Sequence, residues 1–178
     1  GPDQLMGLPV WPQSAKQMDT LRAQGCGPFL FGIGSVQASP QRWAIFEQLC
    51  AAGLEPLTVV HADASVSPDA EIDSGVFIGA NAVIQPFACV GKACIVNTGA
   101  IVEHHATLER NVHIAPGAIL CGQVSVGAHS LIGAGSTVIQ GVNIGQNATV
   151  GAGSTVTRDV NANLVIWGSP AKPQVAVH

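Results

Sequence analysis

The sequence predicts a mainly β protein: a parallel β-helix of hexapeptide repeats, preceded by a small amino-terminal α/β domain. Three observations carry this. From Val60 through Ile78, Val96, Ile114 and Ile132 to Val156, every sixth residue is aliphatic without a break. Four residues after each, from Ala64 through Ala82, Ala100 and Ser130 to Val160, the residue is small or Val. Finally, Ile132-Gly-Ala-Gly-Ser-Thr137 returns eighteen residues later as Val150-Gly-Ala-Gly-Ser-Thr155, with an earlier echo at Ile78-Gly-Ala-Asn81. A helix wants apolar residues at three- and four-residue spacing and a lone strand wants every second one, so neither explains a strict six. A short strand plus a bend does, if the large and the small residue both point inward and each unit leans on the next. Three hexads make one coil. With about 4.8 Å between stacked strands, nearly six coils build a triangular prism roughly 28 Å long.

The chain is 47% hydrophobic and only 10% charged, with a net charge of -4. Little polar material is available to cover the surface, which makes oligomerisation the natural outlet. The weak negative charge and the lack of a Lys/Arg cluster argue against nucleic acid and against an anionic membrane. No apolar stretch approaches the ~20 residues of a membrane helix, and no secretory pattern opens the chain. A soluble cytoplasmic protein is the default expectation.

Gly1-Pro2 reads either as a scar of tag removal or as native sequence. Ser14-Ala-Lys-Gln17 predicts a capping box opening a helix that turns Met18 and Leu21 inward and stops at Gly25. Pro28 to Gly34 is a continuous apolar run of strand length, expected to be buried. Ser39-Pro40 supplies an N-cap and a first-turn proline for a second helix, with Trp43, Phe46 and Leu49 or Cys50 inward and Gly53 as its stop. Leu57 to Val60 leads into a strand. This order fits part of an α/β domain with a parallel sheet. The division is then 1–58 for that domain, 59–161 for the β-helix and 162–178 for a carboxyl-terminal cap in which Trp167 and the prolines close the open end of the stack. Gly32-x-Gly34 before a helix suggests a dinucleotide loop only weakly, since no third glycine or ribose-binding acid is well placed; a tight turn is the simpler role. The cysteines, among them Cys94 at an inward position, form no C-x-x-C pair and read as reduced packing thiols.

Because inward positions are aliphatic or small, outward residues that packing does not explain are the candidates for chemistry. His104, His105 and His113 stand out. His104 and His113 are half a coil apart, on different faces of one subunit, and a neighbouring copy would bring them to one cleft. Neutral imidazole suits the removal of a proton from an attacking amine or hydroxyl near pH 7.

Here the chain resembles a known family. The stretch N-T-G-A-I-V-E-H-H (97–105), then V-H-I-A-P-G-A (112–118), the V/I-G-A-G-S-T repeats and W-G-S-P-A-K-P (167–173) are similar to bacterial sugar acetyltransferases of the sialic acid O-acetyltransferase family. Close relatives N-acetylate nucleotide-linked amino sugars, as in the bacillosamine pathway. The resemblance implies a left-handed β-helix, a homotrimer, a Rossmann-like acceptor domain at the amino end, and acetyl-CoA in the groove between prisms. It makes His104 the general base, while His105, at the next position, is a candidate either for a share in catalysis or for a structural or solvent-facing role. It places His113 beside the acetyl group and Ala134 and Ala152 along the coenzyme. Two departures matter. The family usually has Asp or Glu after the catalytic histidine, where this chain has His105. Its amino-terminal strand and glycine-rich turn, which help hold the nucleotide sugar, precede the first residue here, so either the amino end is truncated or the acceptor differs. The reading is an acetyl-CoA-dependent N-acetyltransferase of a nucleotide amino sugar in surface glycan synthesis, with no resident metal. Alternatives are sugar O-acetylation, a non-catalytic structural trimer, and a β-helix with zinc between subunits like the carbonic anhydrases of this architecture.

Overall fold

The computed structural model describes residues 27–173 continuously and, before them, Gln4–Leu5, Leu8–Pro9, Thr20, Ala23 and Gly25. Two-residue strands recur every six residues and stack eighteen residues apart, as in Ile95 opposite His113 and Val96 opposite Ile114. Three parallel sheets result. The first runs from Val59–Val60 to Thr149–Val150, the second from Ser65–Val66 to Thr155–Val156, and the third from Glu71–Ile72 to Asn143–Ile144. The prism is a left-handed parallel β-helix.

In each strand the second residue points inward. From Ile78 to Val156 every one of these aliphatic side chains is buried, together with the small residue four positions later. Val60, Val66 and Ile72 have no coil beneath them and stay partly exposed. Inward serines keep their hydroxyls satisfied: Ser130 Oγ donates to the carbonyl of Gly145 at 2.9 Å and Ser136 Oγ to that of Gly151 at 2.8 Å. A polar atom in this core is tolerable on that condition.

The carboxyl end corrects the register read from the sequence. Val160 is not the small residue of its hexad. It bridges to Ile144 and so occupies the next large position, four residues after Val156 instead of six. One hexad is two residues short, and Ile166, six residues further, pairs opposite Val150. The strand Val165–Gly168 then turns back antiparallel against Ala171–Pro173. Ile166, Leu164 and Ala171 cover the end of the core, while Trp167 remains 47% exposed. The capping role expected of Trp167 therefore falls to its smaller neighbours, because residue 166 is the inward one of that strand.

At the amino end, Pro28–Phe29 pairs in parallel with Glu55–Pro56, and the helix Pro40–Ala51 (α1) lies between them in sequence. Ser39 Oγ accepts from the Arg42 amide, Pro40 opens the helix, and Gly53 at φ +78 follows its end. The expected buried strand from Pro28 to Gly34 is shorter than its apolar run. Only two residues find a ladder partner, and Leu30 (63%) and Ile33 (42%) are exposed while Phe29 and Phe31 turn toward Phe46. One covered face produces alternation, not a fully buried strand. The helix expected from Ser14 to Gly25 lies mostly outside the described residues; Thr20 and Ala23 are helical and Gly25 has φ +75.

Arg42 ties α1 to the prism. Its buried guanidinium donates to the carbonyls of Ile33 and Ala93 and to Asn111 Oδ1, and it lies 4.5 Å from the ring centre of Phe31. Burial lowers its pKa to about 10, which leaves it charged at neutral pH.

Candidate active site

His104 and His105 sit on the corner between the second and third sheets. His105 has φ +59, a left-handed conformation that costs a non-glycine residue energy. Its amide donates to the carbonyl of Pro86 at 3.2 Å, and its ring packs 5.1 Å from that of Phe87, itself at φ +62 on the coil below. The carbonyl of His104 accepts from the Gln123 amide at 3.0 Å on the coil above. Both imidazoles are exposed, with His104 Nδ1 and His105 Nδ1 3.2 Å apart and the ring planes near perpendicular at 85°. The His104 ring rests against Gly122, where a β carbon would lie 2.6 Å from Cε1 and 2.7 Å from Nε2. Glu103 Oε2 accepts from the backbone amide of His104 at 3.4 Å.

His113 faces outward from the first sheet and is covered by the segment before α1. Its Nδ1 lies 3.0 Å from the Ser35 carbonyl and 3.2 Å from Ser35 Oγ, and its Nε2 lies 3.4 Å from Asn97 Nδ2. A carbonyl only accepts and an amide NH2 only donates, so the neutral ring carries its proton on Nδ1 and takes a hydrogen bond at Nε2. Burial pushes the pKa of His113 down; the Ser35 carbonyl opposes this and the charge of Arg42 reinforces it.

Ala134 and Ala152 stack on the corner that follows the first sheet. Both are exposed, and the Gly153 amide donates to the Ala134 carbonyl at 2.8 Å. Beside them Gly133 packs so closely on the next turn that a β carbon would lie 2.6 Å from the Ala152 amide nitrogen. The exposed residues of this edge, Ala134, Gly135, Ala152 and Gly153, carry a methyl group or no side chain, which lets a ligand approach the backbone. Within one chain the structure brings His104 and His105 together, and places His113, Ala134 and Ala152 elsewhere, on the first sheet and its following corner. Among the described residues of one chain, no three His, Cys, Asp or Glu side chains converge on a common point.

Known proteins match this architecture. Residues 105–140 match the bacterial transferase hexapeptide family (six repeats), and residues 123–158 match the hexapeptide repeat of succinyl-transferase. No curated protein sequence matches the chain. Among solved structures, perosamine N-acetyltransferase from Caulobacter crescentus, as a histidine-to-asparagine variant in complex with CoA and GDP-perosamine, is 32% identical with a TM-score of 0.90, covering 97% of this chain and 80% of that one. The chain belongs to the hexapeptide-repeat acetyltransferases. The acetyltransferase domain of PglB from Neisseria gonorrhoeae, in complex with acetyl coenzyme A, is 32% identical with a TM-score of 0.84, over 96% of this chain and 81% of that one. WeeI from Acinetobacter baumannii, 22% identical with a TM-score of 0.76 over 96% and 80%, shares the fold.

Several residues that shape this acetyltransferase's candidate site do not stand out in the sequence. Gly122 makes room for the His104 ring, Phe87 backs His105, and Asn97 and Ser35 hold the two nitrogens of His113. The eighteen-residue period points to Gly122 and Phe87, one coil above His104 and one below His105. No local signal marks Ser35.

Proposed function

We propose that this acetyltransferase moves the acetyl group of acetyl-CoA to the amine of a nucleotide-linked amino sugar, in the cytoplasm, as a homotrimer. The observation that carries the reading is an exposed imidazole, His104, seated on a rigid corner against Gly122 in a chain alike over nearly its whole length to an enzyme bound to CoA and GDP-perosamine. Residues 1–58 are its Rossmann-like acceptor domain, 59–161 its transferase β-helix and 162–178 its carboxyl-terminal cap.

The amine attacks the thioester carbonyl while His104 Nε2 takes its proton. The carbon–sulfur bond then breaks, and the proton finishes on the coenzyme sulfur. Transfer is direct. An acyl-enzyme on Cys94 has little support, since Cys94 is fully buried and its thiol is pushed up to about 12 by that burial. His113, Ala134 and Ala152 belong to the coenzyme side of the cleft, and a neighbouring subunit supplies His104. Two further facts fit: the two groups of residues lie on different sides of one prism, and no helix among the described residues is long and apolar enough to cross a membrane.

Acetyl-CoA consumption should be measured against GDP-perosamine, other nucleotide 4-amino sugars and free sialic acid, with calorimetry for coenzyme A. Turnover with a nucleotide amino sugar is expected, and His104→Ala should reduce it roughly a hundredfold without loss of coenzyme affinity. Turnover only with a hydroxyl acceptor, or no heat with coenzyme A, would overturn the reading.

A further inference from the structure

The carboxylate that the family resemblance leads one to expect after the basic histidine is replaced here by His105, and the carboxylate before it is engaged elsewhere. Glu103 Oε2 takes the backbone amide of His104, at 3.4 Å. What meets the His104 ring is a second imidazole, 3.2 Å away from Nδ1 to Nδ1. Two ring nitrogens at that distance form a hydrogen bond only if one carries a proton and the other a lone pair. Two arrangements satisfy this, and they have opposite consequences. If His105 donates, His104 is the Nε2–H tautomer and its outer nitrogen cannot accept a proton. If His104 donates, its Nε2 is free.

We propose that His105 is the positioning residue of the base: its Nδ1 lone pair accepts the Nδ1–H of His104 and fixes the tautomer that leaves His104 Nε2 unprotonated toward the acceptor. This rests on the function proposed above. His105 is itself held for the task. Its left-handed backbone is pinned by the Pro86 carbonyl, and its ring packs on Phe87, a second bulky residue in the same strained conformation. The positive φ is the rule for the corners of the prism from Ile72 to Val150, and His105 and Phe87 adopt it without being glycine or asparagine. Behind His104, Gly122 leaves the space that its ring fills.

The chemistry differs from a histidine–carboxylate pair. As the amine attacks, one proton arrives at His104 Nε2 and the pair carries a single positive charge, with the Nδ1–H still donated to neutral His105. A proton on His105 Nδ1 would remove the acceptor that holds the Nδ1–H of His104. His105 orients the imidazolium without neutralising it. The other titratable groups of this corner are Glu103 and Cys121, on the same and the next coil. The base is thus aimed by a neutral partner, and a carboxylate at position 105 would add a compensating negative charge beside the imidazolium.

The test is nitrogen NMR of the full-length 15N-labelled protein near pH 8, which reads each ring's tautomer without substrate. Expected are Nδ1–H for His104 and Nε2–H for His105. His105→Phe keeps a ring against Phe87 and removes the acceptor. There His104 should shift mainly to Nε2–H, and kcat should fall about tenfold to a hundredfold with KM for acetyl-CoA unchanged. His105→Glu should restore Nδ1–H and turnover, with the acidic limb of the kcat profile altered. An Nε2–H tautomer for His104 in the natural protein overturns the proposal, as does Nδ1–H persisting in His105→Phe. Because the tautomers are read without turnover, a wrong acceptor would show as inactivity with the tautomer shift intact, distinct from failure of the positioning role.

Discussion

One methyl group added at Gly122 should silence the enzyme without unfolding it. Gly122 lies one coil beyond His104, and the imidazole occupies the space that its absent side chain leaves. A β carbon there would lie 2.6 Å from Cε1, 2.7 Å from Nε2 and 3.2 Å from Nδ1. Ordinary contact begins at 3.4 Å, so the ring must retreat by at least about 0.8 Å. All three atoms belong to one exposed side chain free to turn about its χ angles, and the backbone at Gly122 is not left-handed, so His104 yields and the coil does not. The stability cost should stay near or below ~1 kcal/mol, a melting shift of about 2–4 °C for a chain of this size. Catalysis is less forgiving. A misplacement of about 1 Å from the near-attack geometry costs on the order of a hundredfold, and a turned ring also loses its hydrogen bond to His105. Gly122→Ala should therefore lower kcat/KM roughly a hundredfold, measured as coenzyme A thiol release, with coenzyme affinity unchanged by calorimetry because Ala134 and Ala152 stand on another corner. Natural turnover in a folded variant would refute His104 as the base. A melting temperature lowered by more than about 10 °C would refute the packing argument.

Gly133→Ala supplies the contrast: its β carbon would meet backbone, 2.6 Å from the Ala152 nitrogen and 2.6 Å from the Val150 oxygen, so the coil itself must shift. Thermal melts should show a loss of about 1–3 kcal/mol. Ala134→Leu or Ala152→Leu puts bulk on an exposed edge and should weaken coenzyme A binding at least about tenfold while sedimentation reports the same assembly as the natural protein. The pKa of His113 is lowered by burial, and that of His129 by burial and then Arg110, each from 6.5. The unfolded chain therefore binds protons that the folded one refuses once pH falls below about 6.5. Stability should be level above that pH and decline as pH drops through the window below it, and melts from pH 8 to pH 5 should show less decline in His113→Asn.

How far the molecule can be read from its sequence depends on whether a residue's position in the hexad decides its environment. For the inward residues it does: Ile114 and Ala118 hold the same places in their coil as Ile132 and Ser136 in the next, and all are buried. Where a hexad loses two residues, between Val156 and Val160, counting by six assigns Val160 the wrong role, since either position accepts Val. Ser35 reaches His113 across 78 residues, and no repeat encodes that contact.

A third position in the hexad carries information of a different kind. From Ile72 to Val150 the residue three after each aliphatic one takes positive φ, and most hexads fill it cheaply, with glycine as at Gly99, Gly117, Gly135 and Gly153 or with asparagine as at Asn81, Asn111 and Asn147. The costly exceptions between Ile78 and Val156 are Phe87, Ala93, His105, Gln123 and His129. They fall in two places. Ala93 accepts from Arg42 and His129 packs 6.2 Å from Trp43, so these two form the seat of α1. Phe87, His105 and Gln123 stack on consecutive coils around His104, one packed on the next ring and one bonded to the His104 carbonyl. Local preference is overridden where the prism must hold another element or aim a side chain. The corner that bears the proposed base is thus written into the sequence twice, by the histidines and by the absence of glycine or asparagine where the turn would favour them.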